Sequence, residues 1–211
     1  MNAALTTLYP LPAALFHADT MHRHRRHRIG SFEIAEDALA LFNELLARLD
    51  LRRAPIQRDQ LVTAARDLVD ETSDAPVAPC LYARMRRAGA IDRMLADASW
   101  TPEAAVVAPG KLVVDYVRGN RDLIPDVMPK VGRLDDAIVV ETAWPTLAPE
   151  IRNYLDFCRV RQIERELGGD DRFSRRDWEQ ARNAEAQWIE HCRRVGNDSY
   201  LTSSPAHFRV C

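Results

Sequence analysis

The chain has 211 residues, of which 46% are hydrophobic and 28% are charged. This composition is typical of a globular protein and excludes an intrinsically disordered one, and the length allows one sizeable core or two small ones. The net charge of −2 at pH 7 excludes a chain-wide positive field of the kind that attracts nucleic acid or anionic membranes.

The cysteines and the N-terminal region indicate a cytoplasmic protein. The four cysteines form no CxxC pair, which disfavours a zinc knuckle or a redox motif, so we expect reduced thiols. The apolar residues near the N-terminus have no basic region ahead of them, and we therefore expect no secretory signal. No stretch reaches ~18 uncharged apolar residues, so no transmembrane helix is expected.

Helical periodicity dominates the first half of the chain. Residues 31–49 place Leu39, Phe42 and Leu46 on one stripe, and Ser31 is predicted to cap this helix. A second helix is expected over about 57–71 and a third over 80–97.

Prolines divide the predicted helices of the second half. Thr101-Pro102-Glu103 predicts a helix start, and Pro109-Gly110 predicts a break before a separate helix "KLVVDYV". Residues 136–144 are predicted to form a buried helix stopped by Pro145. Another helix is expected to begin near Pro149.

The last helix has the clearest pattern, and it completes an all-α prediction. Ser174 and Asp177 approximate a capping box, and the stripe that follows includes Trp178 and Trp188 as core or interface residues. We expect a compact bundle of about seven to nine helices. The predicted parts are an N-terminal segment with a basic arm (1–30), an N-terminal helical part (31–100), a helical hairpin (101–148), a C-terminal helical pair (149–196) and a tail (197–211), together forming one globular domain.

Residues 118–138, "RGNRDLIPDVMPKVGRLDDAI", combine aspartates, prolines and a glycine in a fixed order. This segment resembles the YkvA-like family of bacterial proteins, which is built around a D-L-I-P-D…P…G…L-D-D pattern. The resemblance covers about residues 111–144, implies a helical hairpin and assigns no activity. The matching positions are Asp122, Pro125, Asp126, Pro129, Gly132, Asp135 and Asp136.

Two interpretations of these aspartates are open. In the structural one, which we favour, Asp122 and Asp135 cap helices, while Asp126 or Asp136 pairs with an arginine (Arg118, Arg121 or Arg133). In the functional one, Asp122, Asp126, Asp135 and Asp136 converge on a divalent cation such as Mg²⁺, Mn²⁺ or Ca²⁺. The cation would then support hydrolysis of a phosphate ester.

The segment "HRHRRHR" at residues 22–28 is the second conspicuous feature. Its arginines could bind nucleic acid or anionic lipid, and its histidines could bind a transition metal. We favour a solvated linker, and nucleic acid is the less favoured partner because no aromatic residues alternate with the basic ones. The candidate anion-binding residues are Arg23, Arg25, Arg26 and Arg28.

The sequence therefore favours a soluble helical bacterial protein that binds or scaffolds a protein partner or forms a homodimer, and it leans against an enzyme. A metal-dependent phosphoester hydrolase and a peripheral anion binder that contacts nucleic acid or lipid are the alternatives. The bacterial origin is inferred from the basic residues, because only Lys111 and Lys130 are lysines, a bias typical of GC-rich genomes.

Overall fold

The structure, a computed structural model, describes residues 9–16, 28–71, 77–119, 122–169 and 172–197. Within these ranges it is mostly helical, which confirms the all-α class, but it has six α-helices where seven to nine were expected. None of them combines the length and the apolar character that a membrane crossing requires. The helices are α1 (Glu36–Leu49), α2 (Arg58–Glu71), α3 (Pro79–Ala96), α4 (Ala104–Val117), α5 (Leu134–Glu166) and α6 (Arg175–Asn197).

The prediction that prolines divide this part of the chain into separate helices was wrong at three positions. Helix α4 continues through Pro109, and α5 continues through Pro145 and Pro149 as a single helix of 33 residues. Both prolines of α5 are exposed, so water can bond the carbonyl groups that lose their helical N–H partner. Burial of Ala143, Leu147 and their neighbours on the other faces offsets the cost of ~3 kcal/mol that proline adds inside a helix.

A short hairpin stands where the first helix was expected to begin. Strands β1 (Arg28–Ile29) and β2 (Phe32–Glu33) pair antiparallel around Gly30, whose φ of +61° is accessible to glycine at little cost. Ser31 therefore lies in the turn and caps no helix, which corrects the prediction. Helix α1 begins only at Glu36.

The chain divides into two compact units, which are described separately. The first unit comprises Met1–Asp97 and Pro102–Asn153, and the second comprises Ala98–Thr101 and Tyr154–Cys211. The division falls within α5, so this helix contributes residues to both units.

The N-terminal part of α5 is the centre of the first unit. A helix that is apolar on all sides is typical of a buried core position, whereas a surface helix has one apolar face. The following α5 residues have no exposed surface: Leu134, Ala137, Ile138, Val139, Val140, Ala143, Leu147 and Ile151.

Two arginines of α3 are buried against this part of α5. Arg84 and Arg87 are each 1% exposed, and both donate to one carboxylate oxygen of Glu141, at 3.0 and 2.9 Å. The guanidinium of Arg87 also lies 4.3 Å from the ring centroid of Trp144. The burial of these arginines was not predicted, because a single sequence does not show that a distant glutamate will compensate their charge.

The core of the second unit is a cluster of aromatic rings. Trp100 lies 5.0 Å from Phe157 and 5.4 Å from Trp178, measured between ring centroids. The indole N–H of Trp178 donates to Asp156 at 2.9 Å. The predicted contact between Ser174 and Asp177 at the start of α6 is present, since both the backbone N–H and the hydroxyl of Ser174 donate to the Asp177 carboxylate, and the first of these bonds is one half of a capping box.

Most of α6 is exposed to solvent. Trp178 is buried, but every residue from 179 to 196 is exposed, and Trp188 has 66% of its surface accessible. Trp188 is therefore not a core residue, and its role at an interface stays a prediction.

Candidate functional site

The acidic corner, residues 122–136, joins α4 to α5 and contains all seven motif positions. Its anchor is the buried carboxylate of Asp135 in the first turn of α5. One oxygen of this carboxylate accepts hydrogen bonds from the backbone N–H groups of Leu123 (2.8 Å) and Ile124 (3.1 Å) and from the hydroxyl of Tyr116 (2.8 Å). Asp135 therefore fixes the chain where it enters the corner.

The predicted capping roles of Asp122 and Asp135 need correction. Asp135 accepts hydrogen bonds from the backbone N–H groups of Leu123 and Ile124, which precede its helix by ten residues or more, so its main role is not that of a helix cap. Asp122 precedes turns and not a helix. A segment of this length can fold back on itself, so a carboxylate can satisfy N–H groups that sequence proximity does not indicate.

Arg133 neutralises two of the remaining aspartates. Its guanidinium donates to Asp136 and to Asp126, each at 2.8 Å. This confirms the pairing with an arginine that the structural interpretation expected. Of the other two candidates, Arg118 pairs with Asp92, and Arg121 lies outside the described residues.

Gly132 lets two backbone segments of the corner touch. A Cβ atom at this position would lie 2.4 Å from the carbonyl oxygen of Asp126, a distance that no real Cβ contact shows. The fold is tightened by hydrogen bonds from Met128 N–H to the Pro125 carbonyl (2.9 Å) and from Gly132 N–H to the Met128 carbonyl (3.0 Å). Pro129 lies exposed within the same turns. The motif glycine is thus required by close approach of backbone.

Lys130 has an unusual backbone conformation for a residue that carries a side chain. Its φ is 67°, in the left-handed region, and it pairs with Val77 in an isolated parallel β-bridge.

The pKa values of the two buried carboxyls are raised. Burial raises the pKa of Asp135 to about 6 and that of Asp136 to about 7, although their hydrogen-bond donors act in the opposite direction. One oxygen of each carboxyl is buried without a hydrogen-bond partner, so protonation near neutral pH relieves a buried charge.

The corner offers poor geometry for a cation. Within the described ranges, no group of three or more His, Cys, Asp or Glu side chains is arranged to hold a metal ion. Arg133 already lies between Asp126 and Asp136, where it supplies the positive charge that a metal would supply. The divalent-cation hypothesis remains a prediction without geometric support.

The basic arm is described only at its last residue. Arg28 pairs with Glu33 at 2.9 Å on the exposed hairpin. Arg23, Arg25 and Arg26, together with the three histidines of the arm, lie outside the described residues. Anion binding by this arm therefore stays a prediction.

The sequence did not predict a cleft between α3 and α4. It has a volume of about 410 Å³ and lies within the first unit. Its lining residues are Met85, Ala88, Gly89, Asp92, Val114, Val117, Arg118 and Arg133. Gly89, a residue without a side chain in the middle of a helix, was the only sequence signal of this space.

Comparison with known proteins adds no match to this picture. No family model, no curated protein and no solved structure matches the chain. The YkvA-like resemblance therefore rests on the seven motif positions alone and remains a prediction.

Replacing Gly132 by alanine is expected to destabilise the protein by roughly 2–4 kcal/mol, because the new methyl group collides with backbone that cannot rotate away. Urea unfolding measures the change. Gly89→Ala is the matched control, since its Cβ would meet only Arg93, at 3.6 Å. That variant should gain up to about 1 kcal/mol from helix propensity. Equal effects of the two substitutions would contradict the close approach at Gly132.

The free energy of unfolding is expected to fall as pH rises from about 4 to 7. Over this interval the folded protein holds protons on Asp135 and Asp136 that the unfolded chain has released, because their folded pKa values are raised. Each group contributes a slope of up to ~1.4 kcal/mol per pH unit between its unfolded and folded pKa. Urea unfolding at several pH values should give a shallower slope for Asp135→Asn.

Asp70→Asn is the control for that experiment, since Asp70 is exposed on α2. The control should keep the slope of the unchanged protein. Parallel stability profiles for the unchanged protein and Asp135→Asn would show that Asp135 releases its proton equally in the folded and unfolded states.

Proposed function

We propose that this chain is a binding or scaffolding protein of the YkvA-like type, in which the acidic corner is structural. The observation that supports this is the set of partners within the corner. Asp135 binds backbone N–H groups, and Asp126 and Asp136 bind Arg133. Carboxylates that are neutralised in this way hold a loop in one conformation and have little capacity left for a substrate.

Burial of the corner supports the same proposal. Asp135 and Asp136 are 0% and 1% exposed, so a phosphate ester in solvent has no direct access to these two carboxyls. The hydrolase alternative needs all four aspartates around one cation, and Arg133 lies among them. A structural role requires none of them to be accessible.

The partner surface that we propose is the apolar stripe of α6, formed by Ala181, Ala184, Trp188, Cys192 and Val195. These residues recur at intervals of three and four and lie on one face of a helix that is exposed from residue 179 onward. In proteins, most of the stability of a helix comes from packing of its amphipathic face against other elements. A second helix packed on the stripe would supply the missing stabilisation.

We propose a second copy of the same chain as the partner on this stripe. Charged residues beside the stripe are of both signs and already pair within α6, as Arg182 with Glu185 and Arg193 with Glu190. The face thus presents no single-sign field that would select a strongly charged partner. An apolar, nearly neutral stripe is complementary to itself.

Divalent cations are expected to leave the thermal unfolding of the protein unchanged at constant ionic strength. A true site at a hundredfold excess over Kd would add ~2.7 kcal/mol, roughly 5 to 10 °C for a domain of this size. The measurement is a melting curve with and without Mg²⁺, Mn²⁺ or Ca²⁺. Asp126→Ala should lower the melting temperature equally in all conditions, since it removes a partner of Arg133. A metal-dependent rise that this variant abolishes would overturn the structural role.

Sedimentation velocity is expected to detect a dimer that dissociates with a Kd in roughly the micromolar range. Trp188→Glu should weaken the dimer at least tenfold, because it places a charge in the centre of the apolar stripe. Leu41→Glu on α1 is the matched control, since Leu41 and Trp188 are both 66% exposed. A monomer at all concentrations, or the same loss in both variants, would contradict the α6 interface.

A further inference from the structure

The cleft between α3 and α4 is a concave space formed by described residues. All its lining residues belong to the first unit, and neither the α6 stripe nor the buried carboxyls of the corner are among them. An inference about this cleft therefore goes beyond the proposed scaffolding role and can fail separately from it.

Two glycines lie where α3 and α4 meet. Gly110 of α4 permits close approach of the helices, since a Cβ there would lie 3.3 Å from Leu95 and 3.5 Å from Ile91. Gly89 of α3 lines the cleft itself and contributes no side chain to fill it. A volume of about 410 Å³ is sufficient for a small organic molecule, and ligand pockets are commonly ~300–1,000 Å³.

The walls and the rim of the cleft differ in chemistry. Met85, Ala88, Val114 and Val117 supply apolar side chains, while Asp92, Arg118 and Arg133 supply the charges. Arg133 is already paired with Asp126 and Asp136, so Arg118 is the positive group for which a ligand can compete. Apolar walls with one such arginine at the rim suit a ligand with an apolar body and one anionic head group.

Arg118 is the arginine available to that head group. It is 67% exposed and pairs only with Asp92 among its described salt bridges, and an exposed pair of this kind contributes little stability. Arg133, in contrast, lines the cleft but is already held by Asp126 and Asp136. A planar guanidinium matches a carboxylate in a two-bond arrangement.

From this geometry we propose that the cleft binds a small amphipathic carboxylate, with its apolar body against Met85, Val114 and Val117 and its head group on Arg118. The ligand replaces Asp92 as the partner of Arg118. Asp92 then turns to solvent, to which its side chain is already 30% exposed.

The test compares three probes that share one apolar body: decanoate and decylamine below their micelle concentrations, and decanol below its solubility limit. Isothermal titration calorimetry on the full chain is expected to show saturable binding of decanoate to one site. Decylamine and decanol should bind at least about tenfold more weakly, because neither can form the paired hydrogen bonds with Arg118.

Two variants locate the site. Arg118→Gln should weaken decanoate binding by about tenfold or more, since it removes the guanidinium and its charge. Gly89→Leu should abolish binding, because its side chain occupies the cleft while helix propensity favours the folded state. Arg52→Gln is the matched control for the first variant, as Arg52 is also an exposed arginine paired with one aspartate. Gly89→Ala is the control for the second.

Three results would overturn the proposal. These are no saturable binding of any probe, equal binding of all three probes, and decanoate binding that survives Gly89→Leu. Trp188→Glu should leave decanoate binding unchanged, so the α6 interface and the cleft can be judged independently. A disrupted dimer with intact decanoate binding would support both proposals.

Discussion

The buried carboxylate of Asp135 is the contact on which the geometry of the acidic corner depends. Through one oxygen it joins Tyr116 at the end of α4, the backbone of Leu123 and Ile124, and the first turn of α5. Because these segments are fixed, the chain between them must reverse its direction within a few residues. This reversal brings Gly132 against the backbone of Asp126. Arg133 then lies between the two aspartates that it neutralises. The motif is thus a single hydrogen-bonded unit and not a collection of separate caps.

Two clusters in the first unit contain buried charged side chains and balance them in opposite ways. Between α3 and α5, two arginines share the carboxylate of Glu141, whereas in the corner two aspartates share the guanidinium of Arg133. The difference matters because arginine keeps its proton when buried, while a carboxyl can take one up. The two arginines of the α3–α5 contact therefore keep their charge, whereas burial raises the pKa of Asp135 to about 6 and that of Asp136 to about 7 in the corner.

Sequence patterns predicted local features well. They predicted poorly the features whose energetic cost is offset by tertiary contacts. Periodicity located α1, α2, α3 and α6, the predicted contact between Ser174 and Asp177 was correct, and the motif identified the corner and the arginine pairing. The continuity of α5 through Pro145 and Pro149 was missed because the stabilising contacts come from burial on its other faces. Buried Arg84 and Arg87 were missed because their partner lies more than fifty residues away. Both of these errors concern an energetic cost that tertiary structure offsets.

The position of Lys130, whose backbone is left-handed, has a practical consequence for chemical labelling. It places one of only two lysines of the chain within the turns of the corner, and the other, Lys111, lies exposed on α4. An amine-reactive reagent therefore has one side-chain target in the corner and one outside it. Mass spectrometry can compare the reaction rates of these two amines within the same molecule. Lys130 thus reports on the corner, and Lys111 serves as a reference within the same chain.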